Sequence, residues 1–256
     1  MKKKIERVIT VTSGKGGVGK TVFLLNLAGV YAKASKKVLI IDADLLGGTI
    51  SVNLDLKPVK TIFNVTDDKF TNIYSSYKNY LTSYLPNIDV LASCNDPRNA
   101  VKIKIDDIIS FIEEAKIDYD VILIDTSYGI SKDNIKILDN SDIVLYIMTN
   151  DLMDIKNTKS YLEVIKKVLG DKLKIVLNNS RDINLNYFST YEIRKSINQN
   201  IDYTLDKSLY IKNITSFLIE GEIFTLNKHL TFKDKKDLYK LERLSNDLIK
   251  EVELWH

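Results

Sequence analysis

One cysteine in 256 residues, Cys94, excludes an internal disulfide and any metal cluster built on several thiolates. Two histidines, His229 and His256, are too few to hold a metal by themselves. Prolines number three, and no stretch reads as a linker or a low-complexity segment, so a single domain over residues 1–256 is expected. No run approaches the roughly 18 apolar residues of a membrane-spanning helix. The apolar stretch in "MKKKIERVITVTSGK" is too short for a signal peptide, and a cytoplasmic protein is the expectation. Charge of one sign is also lacking. Lysine and arginine total 37 against 34 acids, and the formal charge of +3 is too small to mark a nucleic-acid binder.

What the chain does have is alternation. "RVITVT" (7–12), "KVLIID" (37–42), "IDVLAS" (88–93), "DVILID" (120–125), "DIVLYIM" (142–148) and "LKIVLN" (173–178) read as buried strands. Residues 20–34, 105–116, 132–140 and 154–168 carry apolar positions at helical spacing, and the part from about 189 is helix-rich. Near-continuous apolar strands separated by helices predict an α/β fold: a mostly parallel twisted sheet with helices on both faces. Ligands of such sheets sit beyond the carboxyl ends of the strands.

The first of those ends is "TSGKGGVGKT" (12–21). Gly14 to Thr21 match G-x-x-x-x-G-K-[ST] at every defined position, after a strand and before a helix. Glycines let successive backbone N–H groups converge on a phosphate at the positive end of the following helix. The cradle would be Gly14, Lys15, Gly16, Gly17, Val18 and Gly19, with Lys20 on the β- and γ-phosphates and the Thr21 hydroxyl on Mg²⁺. A chance match in a chain of this length is on the order of one in a hundred from average residue frequencies. Asp125 ends the apolar run "YDVILID", where a carboxylate would hold Mg²⁺ through water and bond Thr21. Asp42 and Asp44 end "KVLIIDAD", where a carboxylate suits a water beside the γ-phosphate.

"KGGVGKT" resembles the deviant Walker A motif of the ParA/MinD family of P-loop ATPases, and the later motifs fall in family order along essentially the whole chain. The resemblance implies a P-loop NTPase fold, ATP with Mg²⁺ as cofactors, slow hydrolysis and an ATP-dependent homodimer. It implies that Lys15 reaches the partner's nucleotide across that dimer. Asp44 then matches the residue that helps orient the attacking water near Mg²⁺, with Asp42 in support. Asn178, ending "KIVLN", resembles the asparagine that reads adenine, since an amide donates and accepts at once. Asp206 in "YTLD" falls where relatives line the base pocket, with Thr204 in place of a proline. "DTSYG" departs from D-[ST]-P by carrying Ser127 in the proline's place.

"DADLLGGTISVNLDL", "NDPRNAVKIKIDDIISFIEEAKIDYDVILIDTS" and "LDNSDIVLYIMTNDLMDIKNTKSYLEVI" resemble the CpaE/TadZ-like branch, which implies pilus assembly and a protein partner. MinD-like, flagellar-placement and partition roles stay open, as does a nucleotide-dependent scaffold that does not hydrolyse. A metabolic P-loop enzyme would need a substrate pocket or metal-binding cysteines. Membrane attachment would use the C-terminal segment, where Leu238, Leu241, Leu244, Leu248 and Val252 share one face with Trp255 beyond; a core helix explains them equally. DNA binding would need a basic patch, and from Lys207 onward bases and acids nearly balance. Tyr74, Tyr77, Tyr80 and Tyr84 fall near one face if "TNIYSSYKNYLTSYL" is helical, as core or as a surface for the protein partner.

Overall fold

Five of the six residues of β1 (Arg7–Thr12) are buried, as a strand in the middle of a sheet requires. The structure is a computed structural model that describes residues 7–94, 96–179, 188–205 and 221–250. The other strands are β2 (Val38–Ala43), β3 (Thr82–Leu85), β4 (Ile88–Leu91), β5 (Val121–Thr126), β6 (Ile143–Thr149), β7 (Leu173–Asn178) and β8 (Tyr203–Leu205). Among the described residues they form one sheet in the order β3-β4-β2-β5-β1-β6-β7-β8. Every neighbouring pair is parallel except the β3–β4 hairpin at one edge.

Among the described residues the helices are α1 (Lys20–Lys33), α2 (Ile50–Asn53), α3 (Ile62–Phe70), α4 (Pro97–Ala100), α5 (Ile105–Ala115), α6 (Lys132–Asp139), α7 (Leu152–Leu169), α8 (Thr190–Ile197) and α9 (Phe232–Lys250). Strand residues alternate between two cores, as a period of two demands. Ile9 and Val11 of β1, Ile40 of β2 and Leu145 of β6 pack beneath α1 and α9. Val8, Leu39 and Ile41 face α3 and α5, while Val144, Tyr146 and Met148 face α7 and α8. Both faces are thus covered, and all six expected strands and four expected helices are present.

One reading needs correction. The tyrosine segment is not a helix: one 3₁₀ turn (Tyr77–Tyr80) runs straight into β3. Tyr77 and Tyr80 are buried, with their hydroxyls on Asp118 and Asp68, and Tyr74 bonds Glu114. Tyr84 turns to the opposite core, where its hydroxyl donates to the Gly221 carbonyl at 3.1 Å and accepts from the Ile223 N–H at 3.2 Å. These rings hold the edge hairpin in place and offer no aromatic stripe to a partner. Among the described residues the part after 189 is helix-rich as expected, with α8 and α9, and it also holds a short strand, β8, which parallels β7.

The C-terminal segment takes the core alternative. Leu238, Leu241, Leu244 and Leu248 of α9 are all buried against α1, and the Tyr31 hydroxyl of α1 donates to the Ser245 carbonyl at 3.2 Å. Val252 and Trp255 lie outside the described residues. Among the described residues no helix is long and apolar enough to cross a membrane.

Candidate functional site: a phosphate loop with buried carboxylates

β1 delivers the chain into the loop 13–19, and α1 leaves it at Lys20. The loop closes through Gly17 at φ +74° and Gly19 at φ +92°, left-handed conformations that a side chain would strain. No side chain caps the N-terminus of α1, and its first turn holds no acid. Its leading N–H groups are therefore left for an anion, at the positive end of the helix dipole. Lys20, 8% exposed, is the cation closed in beside them.

Beneath the loop sit the carboxylates. The β2–β5 register sets Asp42 directly opposite Asp125, with both buried. The Thr21 hydroxyl donates to Asp125 Oδ2 at 2.5 Å, while Asp125 Oδ1 is buried with no hydrogen-bond partner. Burial pushes the Asp125 carboxyl up to about 6, with Asp44 adding to the rise and the Thr21 bond and Lys20 charge opposing it. Asp42 is held well above the usual carboxylate range, first by burial and then by Asp125. It accepts from the N–H groups of Ile50 and Asp44, at 3.0 and 3.3 Å, and so fixes the turn after β2. Asp44, half-buried on that turn, accepts from the Gly47 N–H at 3.3 Å.

An orphaned carboxylate oxygen beside a hydroxyl, with a second acid behind it, is a set of donors that suits a cation. Among the described residues no group of three or more His, Cys, Asp or Glu could cage a metal. The set fits Mg²⁺, which keeps several waters and takes few protein ligands when a nucleotide phosphate supplies the rest. Thr21 would ligate it, Asp125 would hold it through water, and Asp44 would stand near it.

The remaining expected residues come from neighbouring strand ends. Asn178, the last residue of β7, is buried and donates from Nδ2 to the Val18 carbonyl of the loop at 2.9 Å. It lines a small recess with Gly19, Phe23, Asn26, Leu205 and Leu241. Asp206 lies outside the described residues. Lys15 turns onto Asp151 at 3.1 Å, and Asp151 also caps α7 by accepting from the N–H groups of Met153 and Asp154. Sequence reasoning missed Asp151, although an acid placed just before "LMDIKNTK" carries the N-cap signature. After β5 the turn is closed without a proline: Asn134 Nδ2 donates to the Ser127 and Gly129 carbonyls, and the Gly129 N–H donates to the Ser13 carbonyl at 2.8 Å.

Known proteins resemble this chain in sequence and in fold. A family model described as an AAA domain matches residues 6–179. The septum site-determining protein MinD of Synechocystis sp. is 28% identical over 179 residues, 69% of this chain and 66% of that protein. Its counterpart from Thermotoga maritima is 29% identical over 175 residues, 67% of this chain and 63% of that protein. The match thus spans just under two thirds of the length of these relatives. Among solved structures, a ParA family ATPase from Chlorobium tepidum superposes with a TM-score of 0.79 at 17% identity, covering 95% of this chain and 99% of that one. The MinD of Pyrococcus horikoshii complexed with Mg-ADP gives 0.75 at 19% identity, covering 94% and 96%. At such identities the superpositions establish the fold.

Proposed function

The chain belongs to the AAA domain family and, within it, to the ParA/MinD group, and from that premise we propose a switch that binds Mg²⁺ and ATP, dimerises around them and resets by slow hydrolysis. The observation that carries this reading is the orphaned Asp125 oxygen beside Thr21, beneath a helix whose N-terminus no side chain caps. Mg²⁺, when bound, would neutralise charge on the nucleotide phosphates. The work of the chain's own residues is placement. The loop amides and Lys20 hold the phosphates, and Thr21 and Asp125 hold the ion. Asp44 accepts a hydrogen bond from the attacking water, and Asn178, moored to Val18, offers its amide to the base. Lys15 would leave Asp151 to reach the nucleotide of a second copy. A partly exposed pair of this kind is worth less than about 1 kcal/mol, so a partner's phosphate competes with it easily.

The use of the switch is read from the sequence. The three segments that resemble the CpaE/TadZ-like branch favour placement or assembly of a surface apparatus of the pilus type, in the cytoplasm and through a protein partner. A MinD-like placement role at the membrane is the second reading, favoured by the MinD relatives. Calorimetry tests the shared premise. Wild type should bind Mg²⁺-ATP and release phosphate slowly, whereas Lys20→Ala should lose ATP binding with its fixed cation. Unchanged affinity in Lys20→Ala would remove the phosphate-loop assignment. Binding without any phosphate release would leave a nucleotide-dependent scaffold.

A further inference from the structure

The first limb of the loop is held from below by side chains of β6 and α7. The Gly14 N–H donates to the Tyr146 hydroxyl at 3.0 Å, and that hydroxyl shares a second bond with Thr158 Oγ1 at 3.1 Å. Tyr146 and Thr158 are both fully buried. The Tyr146 ring lies 4.9 Å from that of Tyr161, whose own hydroxyl sits 3.3 Å from Thr12 Oγ1. A Cβ added at Gly14 would come within 2.6 Å of the Tyr146 oxygen, closer than packing allows. Gly14 is therefore bare because a tyrosine lies against it. Burial raises the Tyr146 hydroxyl far above its ordinary value, so it stays a neutral acceptor.

From this contact we infer that Tyr146, steadied by Thr158, is a positioning residue of the nucleotide site. It turns the Gly14 N–H inward, away from the anion, and so sets where Lys15 and the following amides point. A phenolic oxygen at the end of a buried ring packed at a tilt against Tyr161 fixes that peptide in one orientation before the ligand arrives, and pre-organisation of this kind lowers the cost of binding. The inference rests on the phosphate-loop reading and names a residue that reading does not contain.

Tyr146→Phe removes the hydroxyl and keeps the ring. It should weaken ATP on the order of tenfold, the range expected when a buried N–H loses its acceptor. Tyr161→Phe removes an equally enclosed hydroxyl that touches Thr12 and not the loop, and it should bind ATP as wild type does even if its melting temperature falls. The coupling is sharper in the double variant. Gly14→Ala alone clashes with the hydroxyl, and adding Tyr146→Phe should restore part of the lost ATP affinity, a non-additivity of contacting residues. If wild type binds ATP and Tyr146→Phe matches it, or if both phenylalanine variants weaken ATP equally, the positioning role is wrong. If Gly14→Ala and Tyr146→Phe simply add, the clash is not what keeps Gly14 bare and the inference fails. A wild type that does not bind ATP would instead remove the phosphate-loop reading itself.

Discussion

Asp125 shows how one residue trades stability for a ligand. Its folded carboxyl titrates near 6, above the ordinary 3.8, because burial disfavours the charge. A raised acid means that the folded state binds more protons than the unfolded one between those values, so stability falls as pH rises from about 4 to about 6. The displacement corresponds to roughly 2–3 kcal/mol once the group is charged. Asp125→Asn keeps the shape and removes the charge. In the absence of nucleotide it should therefore melt higher than wild type at pH 7 and lose that advantage near pH 4, while Mg²⁺ ceases to tighten ATP binding. A variant that melts lower than wild type at pH 7 in thermal scans would mean that the charge is compensated in the resting protein. At this scale the sequence was legible where a residue's role lies in its type and spacing. Gly16 to Thr21 gather at the end of β1 near Asp42, Asp44 and Asp125, whereas the Gly14 N–H, expected in the phosphate cradle, turns onto Tyr146 instead. Asp151 and Tyr146 were hidden because they act through contacts 136 and 132 residues away along the chain.

At the scale of elements, α9 decides between a core helix and a detachable one. Its leucines close the core over α1, and Leu241 is fully buried. Leu241→Ala should cost about 2–5 kcal/mol through lost burial and the cavity left behind, read as a lower denaturation midpoint at unchanged slope. A cost below about 1 kcal/mol would mean that α9 is peripheral and available to a membrane. The short, mostly apolar strands and the longer amphipathic helices were legible because their periods differ. The tyrosine stripe was not. Its spacing of three and four fits a helix, but the turn at Tyr77–Tyr80 and the pairing of β3 with β4 put Tyr84 on the opposite core. Strand pairing overrode a local pattern, and β8, only three residues long, left too little pattern to find.

For the molecule as a whole, the near-neutral charge conceals a local excess. The outer face of α7 exposes Lys156, Lys159, Lys166 and Lys167 against Glu163, the last two in the final turn at the far end from the Asp151 cap that holds Lys15. Four lysines release about four counterions from DNA, which gives a weak contact that fades near physiological salt. The proposed switch depends on a second copy of the chain closing over the nucleotide, which is the central claim. Light scattering of Asp44→Ala measures it most directly, because this variant keeps Thr21, Lys20 and Asp125, proposed to hold Mg²⁺-ATP, but lacks the group proposed to orient water. The mass should double with Mg²⁺-ATP, stay that of one chain with Mg²⁺-ADP, and fail to double when Lys15→Ala is added. A protein that binds ATP yet keeps the mass of a single chain in all three cases would contradict the account.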